Sequence, residues 1–331
     1  MAWYNYDRIN SYNACFNFIL TNRGYGKSYG IKKQCIKRFL KTGEQFVYCR
    51  RYKTEIKEFP KFFDDMREVF KGHELTVKGK VAYCDGAICG YAIPLSVSQN
   101  FKSVPFPLVT TIIFDEFITD SKFSGYMPNE VECFLDLFET VARKRDNVKA
   151  YFLANNISVV NPYFVYFNVY PRENERFTLA RNGELVIDIS TNDEFIKEKK
   201  ETRFGKLIKG TKYSDYSIDN KSLRDSDTFV EKMSLKSCTP VCSFTLDEQT
   251  VMIWFNMDKC LYYCNDKLDR TAENFSLSVD DHNDNSYLNA RVLKFGAFNE
   301  VIKYFQLGKV RFSSQLVKQN MYSIFKKLGV S

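Results

Sequence analysis

Histidine is almost missing from this chain: His73 and His282 are the only two in 331 residues. Catalysis by a histidine acid or base therefore has little to draw on. Long apolar runs are missing as well. No stretch of about 18 apolar residues occurs, so no membrane-spanning helix, and no membrane partner, is expected. The N-terminus lacks the charged-then-apolar order of a secretory signal. Internal repeats are absent. Cysteine is present ten times, but scattered, without the dense spacing of a small disulfide framework. The thiols read as reduced core residues. Cys238/Cys242 and Cys260/Cys264 have a spacing that zinc accepts. No histidine lies nearby, and the second pair sits in the strand-like run Lys-Cys-Leu-Tyr-Tyr-Cys.

Acidic residues are scarce in two zones. Arg23 to Lys53 holds ten Lys/Arg and one acid, Glu44, and Leu288 to Ser331 holds eight and one, Glu300. The net charge is +8, although residues 220–286 are acidic on balance. Two basic zones suggest a polyanionic partner, most simply nucleic acid. A solvated lysine surface is the plainer alternative.

What is present is concentrated at residues 16–28, Phe-Asn-Phe-Ile-Leu-Thr-Asn-Arg-Gly-Tyr-Gly-Lys-Ser. An apolar strand runs into a glycine-containing loop ending in Gly-Lys-Ser, the form of a phosphate-binding P-loop. Thr21 replaces the first glycine of the usual pattern. Gly24 and Gly26 let the backbone approach a phosphate, Lys27 would neutralise it, and Ser28 would ligate Mg²⁺. Asn22, Arg23, Gly24, Tyr25, Gly26, Lys27, Ser28 and Tyr29 form the expected nucleotide loop for ATP. Further on, Val-Thr-Thr-Ile-Ile-Phe-Asp-Glu-Phe at 109–117 ends an apolar run in two carboxylates. Asp115 fits a Walker B metal residue and Glu116 the general base that polarises water. A plain surface Asp-Glu after a strand is the alternative.

Strands are expected at 16–21, 46–51, in the run 109–117 and at 148–155, with helices to about Leu40, over 55–70 and over 129–145, and hairpins over 74–97. This alternation predicts an α/β fold, a parallel-sheet P-loop ATPase of the ASCE class with ligands at the carboxyl edge. Asn155 ends the strand after Walker B and is either a γ-phosphate sensor or a turn residue. A charged segment reads as a linker or small bridging subdomain, and strands near 241–264 with helices near 297–306 and 313–327 form a smaller α+β domain. The expected boundaries are 1–197, 198–235 and 236–331.

Eight segments then resemble the DNA-packaging ATPases of phi29-like phages. They are Arg-Gly-Tyr-Gly-Lys-Ser at 23–28, Gly-Glu-Gln-Phe at 43–46, Arg-Arg-Tyr-Lys at 50–53, Ala-Ile-Pro-Leu-Ser-Val at 92–97, Phe-Asp-Glu-Phe at 114–117, Pro-Asn-Glu-Val at 128–131, Ser-Val-Val-Asn-Pro-Tyr-Phe at 158–164 and Thr-Arg-Phe-Gly at 202–205. The resemblance implies a homomeric, pentameric ring on the portal of a procapsid, driving double-stranded DNA inward with ATP and seated by a structural packaging RNA. It implies work in the host cytoplasm and absence from the mature virion. The C-terminal domain would be RNase H-like without nuclease activity. The strand Cys242-Ser-Phe-Thr-Leu holds no carboxylate, Asp247 and Glu248 read as turn residues, and Asp280, Asp281 and Asp284 as a polar loop. The family match assigns Arg143 as a finger acting on the neighbour's ATP, with Arg145 and Lys102 as other trans-acting candidates and Lys53 as a pore residue on DNA phosphate. For Arg143 a basic helix end is the alternative. The basic tail, Arg291, Lys294, Lys309, Arg311, Lys318, Lys326 and Lys327, is expected to bind DNA or structured RNA. Two rival functions stay open: a small-molecule P-loop kinase, and a nucleic-acid-binding protein in which ATP only switches conformation.

Overall fold

The computed structural model describes residues 3–119, 126–155, 161–167, 169, 171, 175–190, 192–211, 229–288 and 296–328. The chain divides into two compact units, Met1–Arg224 and Asp225–Ser331.

The first unit is built on a nine-stranded sheet. Its elements in chain order are α1 (Asp7–Ser11), β1 (Phe16–Thr21), α2 (Lys27–Thr42), β2 (Gln45–Arg50), β3 (Leu75–Lys78), β4 (Val81–Cys84), β5 (Ala87–Pro94), β6 (Val109–Asp115), α3 (Glu130–Ala142), β7 (Lys149–Asn155), α4 (Pro162–Tyr166), β8 (Phe177–Ala180), β9 (Leu185–Ser190), α5 (Asp193–Glu201) and α6 (Arg203–Ile208). The strand order is β3-β4-β5-β2-β6-β7-β1-β9-β8. The run from β5 to β9 is parallel, while β3, β4 and β8 add antiparallel edges. β7 therefore lies between the P-loop strand β1 and the Walker B strand β6.

Strand periodicity decides which side each residue packs on. Phe16, Phe18 and Leu20 join Phe114, Phe134 and Phe152 on the α3 side. Ile19 points the other way, to Ile31, Cys35 and Ile36 of α2. Phe18 stacks on Phe152 with centroids 4.2 Å apart. Both faces are buried, as a parallel sheet requires.

The helix expected over 55–70 does not form. Residues 53–56 and 59–61 are 3₁₀ turns, and the rest to Gly72 is a series of turns. Pro60 cannot donate to an α-helical ladder. The tighter turns set Phe59 against Tyr48, and Phe62 against Phe46, with stacked rings. At the start of the charged segment read as a linker or bridging subdomain, α5 runs in from Asp193 and α6 follows it, both within the first unit. Asn192 caps α5 by accepting from Phe195 N, and Thr202 caps α6 by accepting from Gly205 N. Residues 212–228 of that segment lie outside the described residues.

The second unit has strands β10 (Cys238–Leu246), β11 (Gln249–Asn256), β12 (Leu261–Asn265), β13 (Glu273–Ser276), β14 (Tyr287–Leu288) and β15 (Val310–Phe312), with α7 (Gly296–Gln306) and α8 (Gln315–Lys327). The sheet order is β14-β13-β10-β11-β12-β15. β10, β11 and β12 are an antiparallel meander, while β13 pairs parallel to β10 and β14 parallel to β13. Phe298, Val301, Met321 and Ile324 of the two helices cover one face. Asp247 and Glu248 form the two-residue turn between β10 and β11, both at positive φ. Asp281 accepts from both their N–H groups at 2.9 and 2.8 Å.

Candidate active site

The strand order brings the carboxyl ends of β1, β7, β6 and β2 side by side, and the chemistry-bearing residues sit there. Gly24 and Gly26 have φ of +89° and +82°, a region that only glycine adopts freely. Thr21 is buried and is not among the positive-φ residues, so the missing first glycine leaves no strain. Its hydroxyl donates to Asn22 O at 3.1 Å. Asn22 is buried, and its Oδ1 has no hydrogen-bond partner among the described residues. Arg23 is exposed, and Tyr25 is half-buried beside Phe195 of α5.

Lys27 opens α2 and donates from Nζ to Asn155 Oδ1 at 2.7 Å, across the sheet edge. Burial lowers its pKa, while Asp115 and Glu116 pull it back up. Ser28 Oγ donates to the Asp115 carboxylate at 3.3 and 3.4 Å. Tyr48 OH donates to the same carboxylate at 3.2 Å. Burial raises the Asp115 pKa, opposed by Arg50 and Lys27. Five residues singled out in the sequence thus converge: Lys27, Ser28, Asp115, Glu116 and Asn155.

Three further residues were not found by sequence reasoning. Arg50, the last residue of β2, donates to Glu116 Oε2 at 2.7 Å and to Glu55 at 3.4 Å. Its buried Nε has no partner among the described residues, which leaves an unsatisfied donor beside the acidic pair. Burial works against the Arg50 charge, but Tyr48, Glu116 and Asp115 more than offset it and raise its pKa. Arg51 and Glu130 form an ion pair with side chains only 2% and 1% exposed, bonded at 2.6 and 2.7 Å. The same guanidinium donates to Glu116 O and Phe117 O. Glu116 has φ of +57°, which costs a non-glycine residue about 1–2 kcal/mol. Arg51 therefore fixes a strained turn that aims the Glu116 side chain. The only sequence signals were the Arg-Arg dipeptide ending β2 and a glutamate opening a helix, and neither pointed to the other.

The trans-acting candidates separate. Arg145 donates to Phe106 O and Pro107 O at 2.9 and 2.8 Å, and burial lowers its pKa. Lys102 pairs with Asp136 of α3 at 3.0 Å. Arg143 is exposed, at φ of +50°, and its side chain makes no hydrogen bond or ion pair among the described residues. Helix α3 begins at Glu130, beside Glu116 through Arg51, and runs 13 residues to Ala142, just before Arg143. At 1.5 Å per residue, the helix carries Arg143 about 20 Å along its axis from Glu130. Lys53 is exposed, two residues before the Glu55 that touches Arg50.

On the sheet of the second unit, the polar positions inside β10 and β13 are neutral, and the one carboxylate in these strands, Glu273, is exposed at the start of β13. Ser243 and Thr245 both donate to Asn274 Oδ1, at 3.1 and 3.3 Å, and Ser276 donates to Asp281 O at 2.9 Å. The basic tail is less available than its composition promised. Lys318 is buried, with its ammonium over the Tyr322 ring. Arg311 donates to Gly308 O and Val310 O and lies over Phe229. Lys309 and Lys327 are exposed. Arg291, Lys294 and the Lys326 side chain lie outside the described residues.

A family model described as podovirus DNA encapsidation protein (Gp16) matches residues 1–330. The DNA packaging protein of Bacillus phage B103 is 41% identical over 321 residues, 97% of this chain and 99% of that protein. A chain in the bacteriophage phi29 viral genome packaging motor assembly superposes with TM-score 0.83 at 40% identity, covering 99% of this chain and 100% of that one. The N-terminal domain of the DNA packaging ATPase from bacteriophage phi29 is 47% identical, with TM-score 0.54, covering 57% of this chain and 96% of that domain.

Proposed function

The chain belongs to the podovirus DNA encapsidation protein family, and from that premise we propose that it is an ATP-hydrolysing motor that drives double-stranded viral DNA into a procapsid. The observation that carries the reading is the convergence of Lys27, Ser28, Asp115, Glu116 and Asn155 at one sheet edge, with β7 between β1 and β6. The loop N–H groups and Lys27 bind the β- and γ-phosphates. Lys27 exchanges Asn155 for phosphate oxygen, which leaves the Asn155 amide beside the γ-phosphate as its sensor.

Ser28 Oγ and the Asp115 carboxylate are adjacent hard oxygen donors, a set that suits Mg²⁺. When bound, that ion neutralises phosphate charge. Glu116 takes the proton from the attacking water once its carboxylate leaves Arg50. Arg143 lies at the far end of α3 from Glu130, the partner of the Arg51 that holds the Glu116 turn, which supports a role on a neighbouring subunit's ATP in a homomeric, pentameric ring. Such a cation supplies on the order of 10³–10⁵ in rate.

Lys53 meets DNA phosphate, so binding is sequence-independent and falls with salt. The division into an ATPase domain (1–197), a bridging segment (198–235) and a C-terminal domain (236–331) belongs to the same proposal. The strand order β12-β11-β10-β13-β14, with β13 and β14 parallel to β10, supports an RNase H-like C-terminal domain. Its neutral Ser243, Thr245, Asn274 and Ser276 support the absence of two-metal nuclease chemistry. A portal vertex and a structural packaging RNA complete the proposed assembly, which acts in the host cytoplasm and is left out of the virion.

The test is phosphate release by the full-length chain with and without double-stranded DNA and procapsids. Turnover stimulated by both supports the motor. Phosphate release indifferent to DNA contradicts it, and transfer of phosphate to a small acceptor points to a kinase.

A further inference from the structure

Trp3 has no part in the chemistry above, yet it is held firmly against the P-loop. The two residues that anchor it are buried tyrosines. Tyr4 N donates to Tyr25 O at 3.0 Å. Tyr4 OH donates to Asp188 at 2.6 Å, and Arg176 holds that carboxylate from its other side at 2.9 and 3.1 Å. Tyr6 OH donates to Lys27 O at 2.6 Å. The N-terminal arm thus grips the loop at Tyr25 and at Lys27, and Trp3 is placed between those grips. Its indole lies so close to Gly26 that a β-carbon there would come within 2.3 Å of a ring atom. It also stacks on Tyr29, with centroids 5.7 Å apart and planes at 27°.

Despite these contacts Trp3 is 52% exposed. An indole pinned at the rim of a nucleotide loop and left open to solvent is a surface that a flat ligand would cover. Its location says which part of the nucleotide that is. Lys27, Asp115, Glu116 and Asn155 take up the γ-phosphate end of the site. The backbone of a P-loop cradles the α- and β-phosphates up to the first residues of the helix. Gly26 and Tyr29, the two residues Trp3 touches, therefore border the nucleoside end.

We propose that Trp3, backed by Tyr29, is the stacking platform for the purine base of the bound nucleotide. The proposal rests on the reading of the loop as a nucleotide site. Stacking on an indole face accepts adenine and guanine alike, so this platform selects purines over pyrimidines rather than ATP over GTP. It also gives Gly26 a second constraint besides its positive φ, because any side chain there would displace the platform.

The experiment uses the full-length chain and two ligands, Mg-ATP and magnesium tripolyphosphate, which carries the phosphates without the base. Trp3 and Trp254 are the only tryptophans, and Trp254 is buried in the second unit with its indole N–H donating to Asn265. Subtracting the emission of Trp3→Phe from that of the parent leaves the Trp3 signal. ATP should change that signal saturably, and tripolyphosphate should bind, by calorimetry, without the change. Trp3→Ala should weaken ATP binding on the order of tenfold to a hundredfold, Trp3→Phe much less, and neither should alter tripolyphosphate binding. Unchanged ATP affinity in Trp3→Ala overturns the platform, as does ATP binding with no change in Trp3 emission. If neither ligand binds the parent chain, the nucleotide site itself is wrong and the platform falls with it.

Discussion

The two sheets of this protein carry polar residues at comparable central positions and use them in opposite ways. At the edge of the first sheet, Lys27 is bonded to Asn155, Ser28 to Asp115 and Arg50 to Glu116, contacts that the proposed cycle exchanges for a phosphate, a metal ion or a water. On the second sheet, Ser243 and Thr245 share Asn274, and Ser276 is tied to the loop around Asp281. Those hydrogen bonds are neutral and closed on one another, so they order the strands, which is the basis for proposing that no divalent cation binds there. Polarity inside a sheet is thus not itself a sign of a site. The sign is charge held by partners that a ligand can replace, supported by a strained backbone such as that of Glu116.

That contrast can be broken in graded steps. The largest effect is expected at Arg143. Arg143→Ala should lower phosphate release by about 10³-fold or more while each chain still binds ATP, measured by steady-state turnover beside calorimetry. Arg145→Ala should leave the rate nearer the parent's, because Arg145 is engaged with Phe106 and Pro107 carbonyls. Equal losses in the two variants would remove the distinction. Next comes Glu116→Gln, which should keep Mg-ATP binding and lose on the order of 10²–10⁴ in turnover. A rate near the parent's would show that another group activates water.

Glu130→Gln probes the support beneath the site. It leaves the Arg51 guanidinium buried without its counter-charge, and should destabilise the first unit by about 3–5 kcal/mol, read from chemical denaturation. The smallest effect belongs to the second sheet. Ser243→Ala removes one neutral hydrogen bond, so a loss of about 1 kcal/mol is expected, with ATP turnover unchanged. The parent chain should not nick plasmid with manganese. Manganese-dependent nicking would erase the contrast between the sheets.

Much of the first sheet was legible because its strands are continuous apolar runs that end in their chemistry. β1 ends in the loop, β6 in Asp115 and β7 in Asn155, so pattern and proposed function coincide. β9 was missed although it pairs with β1, since Asp188 interrupts its apolar run and the partners that neutralise it, Tyr4 and Arg176, lie elsewhere in the sequence. The turns at 53–72 misled for the opposite reason. Phe59, Phe62, Phe63, Met66 and Phe70 have helical spacing, but Pro60 and the stacking of the rings favour tighter turns. The Arg51–Glu130 pair joins residues whose contact no local pattern encodes, and so does the grip of Trp3 on Gly26. Composition overstated the basic tail, because a lysine such as Lys318 reads as surface charge until packing buries it.

The central claim is that ATP is hydrolysed at the Lys27–Asp115–Glu116 edge with a cation supplied by a neighbouring copy. Mixing two inactive proteins, Glu116→Gln and Arg143→Ala, tests it most directly, once native mass measurement has verified that they form mixed assemblies. In such an assembly a Glu116→Gln chain can present its intact Arg143 to an Arg143→Ala chain that keeps a working Glu116. The account predicts that phosphate release returns on mixing. Verified mixed assemblies that stay inactive would contradict it and return Arg143 to the role of a basic helix end.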